Sequence, residues 1–296
     1  MDTLKTAKLL YRYLLTWIDP HFARFKFHLA SKNPAWLSRE NFDELSVKYP
    51  PASWSAFDPE SVSKRGSERA ELVKDILNKH KLSVRDSLEV GCWDAMVSCV
   101  LSKKGINTTA IDISSEGFQP GAKAACVKCL QMDAAAMDFK DNSFDLILSF
   151  DAFEHFAEPD KVFVEAIRVL RPGGLLFFSF GPLYFSPFGL HGDSSIVIPY
   201  CHVLFPKELL EKCVAEKNLT PIDFAQTNKW TAKRFEKMFS SAPGLRKIFY
   251  RKIHDPRHLD VIAKYPSCFK SKNEDMEEFT VSMVEACFRK REEQES

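Results

Sequence analysis

Apolar and polar positions alternate along this chain with two different periods, and the change between them divides it. Over residues 3–30, Leu10, Tyr13, Leu14 and Trp17 fall on one face while Lys5, Lys8 and Arg12 fall elsewhere, which predicts an amphipathic helix. Residues 31–60 carry Pro34, Pro50, Pro51 and Pro59 with Trp36 and Trp54, and read as an irregular connection anchored by aromatics. A second helix is expected over Ser61 to Lys79, with Leu72, Ile76 and Leu77 turned inward. From residue 86 short apolar runs and helical stretches alternate: strand 87–90, helix 95–104, strand 108–112, a short helix, strands 126–130 and 144–149, helix 159–170, strand 174–180. Such alternation implies right-handed crossovers and a parallel sheet. Arg171-Pro172-Gly173-Gly174 is expected to close the helix before the strand Leu175 to Phe180. Helices near 207–217 and 231–240 and strands near 246–253 and 279–288 complete the pattern.

Two stretches break it. Gly181 to Asp193 is a long loop rich in aromatics and turn formers, and Ile196 to Phe205 follows with Tyr200 and His202. Long loops beyond strand ends are more often functional than idle, so 181–206 reads as a lid. The other is Ser87-Leu88-Glu89-Val90-Gly91-Cys92-Trp93-Asp94-Ala95, a strand ending in a tight glycine turn before a helix. In open α/β sheets that turn borders the ligand crevice. The domain reading is a helical extension over 1–80 and an α/β domain over 81–290.

Composition changes this picture little. Apolar residues make 45% and charged residues 27%, and 41 basic against 40 acidic residues leave a net charge of +1. A balanced charge argues against a nucleic acid partner, because phosphate contacts demand an excess of Lys and Arg. Eight scattered cysteines, several inside apolar elements, read as reduced thiols of a cytoplasmic protein. Cys126-x-x-Cys129 lacks a second pair at zinc spacing and reads as core. No run reaches the roughly 18–20 apolar residues that span a bilayer. An interfacial role for the first helix is the alternative to packing on the main domain.

Four features suit an adenosine-bearing ligand. Glu89-x-Gly91-x-x-x-Ala95 forms the turn, and Asp112 follows Gly91 by 21 residues at the next strand end, where a carboxylate can accept from ribose hydroxyls. Met132-Asp133-Ala134 offers a carboxylate for the adenine amino group, and Asn142 to Phe150 leads to the Pro-Gly-Gly turn. A dinucleotide fingerprint wants three glycines, whereas the later positions here are Trp93 and Ala95. That counts against a pyrophosphate and makes a nicotinamide-dependent oxidoreductase the weaker reading.

With these motifs in order, residues 86–180 resemble the S-adenosylmethionine-binding core of the class I methyltransferases, the small-molecule type with the Pro-Gly-Gly turn. The resemblance implies a doubly wound, Rossmann-like seven-stranded α/β sheet with the last strand antiparallel. It places the cofactor at Glu89, Gly91, Cys92, Trp93, Asp112, Ile113, Asp133, Ala134 and Phe150. Trp93 stands where the family usually has a second glycine, so a cofactor-binding but non-catalytic subunit is the rival within that fold. The expected reaction is methyl transfer to a small-molecule acceptor, at oxygen, beneath Tyr184, Phe185, Phe188 and Tyr200.

Past the fourth strand lies Asp151-Ala152-Phe153-Glu154-His155. His155, His191 and His202 are candidates for the base that takes the acceptor's proton, since imidazole titrates near working pH. The spacing acid-x-x-Glu-His with a distant histidine also resembles metal-using O-methyltransferases. In that reading Asp151, Glu154, His155 and His202 hold magnesium, manganese or zinc, which polarises a hydroxyl.

Overall fold

The computed structural model describes residues 19–50, 58–191 and 195–292. Leu10, Tyr13, Leu14 and Trp17 lie outside the described residues, as do Lys5, Lys8 and Arg12. The helix expected there is described from Pro20 to Leu29 (α1), begun by Pro20 at its first position and by Asp19, whose Oδ1 accepts the His21 N–H at 2.8 Å.

Within the stretch read as irregular, Arg39–Lys48 (α2) is a helix. A capping box joins Ser38 and Asn41, and Phe42 and Leu45 supply its buried side. Pro59–Lys79 (α3) is capped by Asp58, which accepts the Glu60 and Ser61 N–H groups. Its inward face runs Val62, Gly66, Ala70, Val73, Ile76 and Leu77, whereas Leu72 is exposed, correcting the expected phase. Gly66 permits a close crossing: a Cβ there would stand 2.7 Å from the Cβ of Met96.

The sheet elements follow as Asp86–Val90 (β1), Met96–Ser102 (α4), Asn107–Asp112 (β2), Pro120–Ala124 (α5), Lys128–Gln131 (β3), Phe144–Phe150 (β4), Pro159–Val169 (α6) and Leu170–Phe180 (β5). After them come Cys201–Leu204 (α7), Lys207–Glu216 (α8), Ala232–Ser240 (α9), Leu245–His254 (β6), Leu259–Lys264 (α10), Pro266–Lys270 (α11), Glu277–Thr280 (α12) and Val281–Lys290 (β7). The strand order is β3-β2-β1-β4-β5-β7-β6, parallel from β3 to β5, with β7 antiparallel to β5. The seven-stranded sheet with an antiparallel strand after β5 is therefore observed. Central strands covered on both faces read as continuous apolar runs, as Leu146, Ile147 and Leu148 and Leu175 to Phe178 do.

Arg171-Pro172-Gly173-Gly174 lies inside β5 rather than between a helix and a later strand. Gly173 takes a φ of +77°, and the β4–β5 register shifts between Phe144 and Leu146. Arg171 there reaches Asp86 at 2.8 Å and Asp145 at 2.7 Å, tying three strands at the end of the sheet opposite the glycine turn.

The described residues form two compact units. The sheet unit comprises those of 54–181, Arg234–Lys252 and those of 283–296. The helical unit comprises those of 1–53, those of 182–233 and Ile253–Ser282. This corrects the expected division at residue 80: α3 belongs with the sheet, and the stretch read as a lid is part of a folded unit with its own core. That core holds Ala23, Phe27, Phe42, Leu45, Tyr200, Phe205, Phe269 and Phe279. Tyr200, expected over the acceptor, is fully buried and donates its hydroxyl to the Phe279 carbonyl at 2.9 Å. Among the described residues no helix is long and apolar enough to cross a membrane. All eight cysteines are free thiols; of the Cys126–Cys129 pair read as core, half-buried Cys129 packs against one, whereas Cys126, which precedes β3 with a φ of +63°, is exposed.

Candidate active site

The turn after β1 is built from backbone that few side chains tolerate. Gly91 has a φ of +66°, Trp93 +43° and Ala95 +57°. Gly91 has no room for a Cβ, which would lie 2.6 Å from the Cβ of Ala152 in the loop after β4. The Gly91 and Cys92 N–H groups both donate to the Ile111 carbonyl, at 2.9 and 3.1 Å. Asp112 Oδ2 accepts the Trp93 N–H at 2.8 Å, and its Oδ1 accepts the Ser114 N–H at 3.1 Å. Such over-determination is what holds a bulky residue at positive φ.

Below the turn, Glu89 is buried and accepts the Ser98 N–H at 2.9 Å and the Ser98 hydroxyl at 2.6 Å. Burial pushes its carboxyl up to about 7, against the pull of the Ser98 bonds. Glu89 thus anchors the start of α4 to β1. Burial also pushes the Cys92 thiol far up, leaving it inert.

Trp93 does not fill the space beside Gly91. Its indole lies on Gly117, where an added Cβ would come within 2.6 Å of the ring, and the residue is 46% exposed. Beyond β2, Ile113 is 69% exposed, a large apolar side chain left uncovered directly after Asp112. Asp112 pairs in register with Gln131, so Asp133 falls just past the same sheet end; it is exposed, with Oδ1 accepting the Ala135 N–H at 2.8 Å. Ala134 is buried next to it.

Two arginines of α3, one turn apart, reach this region and were not singled out in the sequence. Arg65 pairs with Asp94 at 3.2 Å, and Arg69 forms an ion pair with Asp151. The Arg69 guanidinium also sits 5.0 Å from the centre of the Phe150 ring, which is buried against Phe177. The available signal was the i, i+4 spacing of two arginines on a helix that otherwise reads as core packing.

Asp151 follows β4 with a φ of +47°, its N–H donating to the Ser179 carbonyl at 2.9 Å. Glu154 is 1% exposed: Oε1 accepts the Gly181 N–H at 3.0 Å, and Oε2 has no hydrogen-bond partner. Burial, reinforced by the Asp151 charge, pushes this carboxyl up to about 8. The half-buried His155 places Nε2 3.9 Å from Glu154 Oε1.

His191 and His202 belong to the helical unit. His191 Nε2 lies 2.8 Å from the Pro182 carbonyl. His202 is buried with Nε2 on the Tyr184 carbonyl, which fixes the proton on Nε2 and leaves Nδ1 bare. Burial lowers its pKa to about 4.

Residues 88–178 match the model of a methyltransferase domain. Over that stretch the chain is similar to the class I methyltransferases, type 11-like. Over 147 residues it is 23% identical to the ubiquinone biosynthesis O-methyltransferase of Chromobacterium violaceum, covering 47% of this chain and 63% of that one. The enzyme of that name from Actinobacillus pleuropneumoniae serotype 7 is 31% identical over 102 residues, or 31% of this chain and 44% of that one. This chain therefore spans less than two thirds of the curated relatives it matches. A solved protein from Pyrococcus horikoshii OT3 shares the fold, with a TM-score of 0.50 at 18% identity over 86% of this chain and all of that one. The matched stretch of the methyltransferase domain runs from β1 into β5 and carries the glycine turn, Asp112, Asp133 and Glu154.

Proposed function

We propose that this protein transfers a methyl group from S-adenosylmethionine to a hydroxyl of a small-molecule acceptor. The observation that carries the reading is the sheet end around Ile113, an exposed apolar side chain flanked by Asp112 and Asp133. Each carboxylate has backbone N–H bonds that fix its orientation, and each retains acceptor capacity pointing nowhere else in the hydrogen-bond network. That combination suits a nucleoside: Asp112 for the ribose hydroxyls, Ile113 for the face of the base, Asp133 for its amino group. Arg69 and Asp151 offer one positive and one negative group beside the glycine turn, matching a free amino acid's carboxylate and ammonium. Gly91, Cys92, Trp93 and Ala134 shape the backbone of that cradle, and Glu89 and Phe150 support it from within.

When bound, the cofactor supplies a methyl already activated on a sulfonium. What the protein must add is alignment, exclusion of water and a place for the acceptor's proton. Glu154 and His155 are adjacent, one buried and holding its proton near neutrality, the other half-buried. They form the proton-handling pair of this reading, and His155 is the base. The O-methyltransferase names of the relatives support a hydroxyl acceptor, and the net charge supports a small molecule over a nucleic acid.

Of the four residues suggested for a divalent ion, Asp151 is paired with Arg69, whereas Glu154 Oε2 and His202 Nδ1 have no hydrogen-bond partner. No step of this reading is routed through a metal, and activity should survive a chelator.

Calorimetric titration with S-adenosylmethionine tests the reading. Asp112→Asn keeps one acceptor oxygen but loses the charge, and should weaken binding about ten- to a hundredfold. Unchanged affinity in that variant, or a wild-type protein that binds NADH and no S-adenosyl nucleotide, would overturn it.

A further inference from the structure

Helix α1 is apolar on two sides. Ala23 and Phe27, one turn apart, are fully buried in the core of the helical unit. Phe22, Phe25 and Leu29, spaced i, i+3 and i+7, form a second stripe roughly opposite the first on a 3.6-residue helix. They are 51%, 58% and 71% exposed. Three large apolar side chains in one row at that exposure are not the scattered singles of an ordinary surface. Folding leaves more than half of each in water.

The charges around the stripe are one-sided. The helix contains no acid; Lys26 borders the stripe on one flank, and His21 and His28 on the other. Arg24 and His28 face a cleft shared with Glu274, Asp275 and Glu277, and Lys32 pairs with Glu274, so these acids offset the cations on that side only. Over residues 1–32 the sequence still holds six Lys and Arg against two Asp, in a chain that is otherwise balanced.

We propose that this face of α1 seats the protein on an anionic lipid surface. A helix with a short apolar row and cationic flanks lies in the plane of the interface, its aromatic and aliphatic side chains among the acyl chains and its cations at the headgroups. Nothing in the proposal depends on which cofactor the sheet unit binds. A protein partner would need a complementary apolar surface, whereas a bilayer accepts the row as it stands, and the excess of cations selects the anionic leaflet.

The test is co-sedimentation of the full chain with phosphatidylcholine vesicles, with and without phosphatidylserine. The protein should pellet with the mixed vesicles and be released by salt. Phe22→Ser with Phe25→Ser should weaken partition about tenfold or more. Lys26→Glu should weaken it about fivefold or more on the mixed vesicles alone. All three side chains face solvent, so the thermal unfolding of the variants should match wild type and exclude misfolding as the cause. Three results would overturn the proposal: wild-type protein that stays in the supernatant, a double serine variant that binds as well, or light scattering showing a wild-type dimer that the serine variant lacks.

Discussion

Burial holds ionisable groups neutral in both units, carboxyls in one and imidazoles in the other. In the sheet unit the buried groups are carboxyls: burial pushes Glu89 up to about 7 and Glu154 up to about 8. In the helical unit the groups held neutral are imidazoles, the buried His202 and the half-buried His258, both lowered to about 4, whereas the Arg257 guanidinium holds the buried Asp255 carboxyl below its usual range. Removing water disfavours the charged form whatever its sign, so a buried acid holds its proton and a buried base refuses one. The difference lies in what surrounds them. The carboxyls stand at strand ends among hydrogen-bond donors, with Ser98 for Glu89 and the Gly181 N–H for Glu154. The imidazoles stand among rings, with His202 against Tyr184 and His258 against Tyr49 and Phe188. The neutral carboxyls of the sheet unit are therefore set among hydrogen-bond donors, and the neutral imidazoles of the helical unit among aromatic rings.

The largest test of that contrast is Phe279→Ala. Phe279 is fully buried and meets Phe27, Phe185 and Phe269 edge to face. Truncation should cost about 3–5 kcal/mol in denaturant unfolding, as expected for an aromatic removed from a close-packed core. A loss under about 1 kcal/mol would mean that this unit is not held by its own aromatic core.

That core is also where the sequence was hardest to read. The sheet was legible because buried parallel strands announce themselves: 87–90 and 108–112 agree with β1 and β2 to within a residue, and 144–149 with β4. α2 was missed because its ten residues bury only Phe42 and Leu45, and its capping box uses Asn41 where the usual signature has Glu or Gln. Between the prolines on either side, two apolar residues three apart make a weak periodic signal. Tyr200 misleads for a related reason: an aromatic in a loop-like stretch looks available to a ligand, and only the tertiary fold shows it bonded to Phe279 and packed on Phe269. At the site, Asp112, Ile113 and Asp133 were visible as strand-end positions. Arg69 was not, because its meaning arises from a contact 82 residues away, with Asp151.

Glu154→Gln is the intermediate test, and it sharpens the carboxyl half of the comparison. An acid whose folded pKa is about 8, against an ordinary 4.5, holds a proton in the native state that the unfolded chain has released. Native protein binds more protons over that window, so stability falls as pH rises from about 4.5 to 8. The glutamine variant keeps an oxygen for the Gly181 N–H and cannot ionise. It should flatten that slope and be the more stable protein at alkaline pH, by on the order of 2 kcal/mol. Because Glu154 adjoins His155, the same variant should also shift the pH profile of methyl transfer. A wild-type stability slope that is unchanged in the variant would show that Glu154 is ionised throughout.

The smallest effect is expected from His202, and its sign is the reverse. Its folded pKa of about 4 lies below the ordinary 6.5, so between those values the unfolded chain binds the proton that the native state refuses. Stability is then full above 6.5 and is lost as pH falls towards 4. His202→Gln retains an N–H donor for the Tyr184 carbonyl and removes the titration, so it should lessen acid sensitivity by roughly 1 kcal/mol at pH near 5. The two slopes discriminate between mechanisms. If burial is the common cause, Glu154→Gln removes a loss of stability on raising pH from about 4.5 to 8, and His202→Gln a loss on lowering it from 6.5 to about 4. If instead His202 serves as a base that gains a proton in the native protein, its replacement would leave the acid limb of stability unchanged while abolishing methyl transfer. Urea unfolding of both variants across that pH range, beside turnover measurements, separates the outcomes.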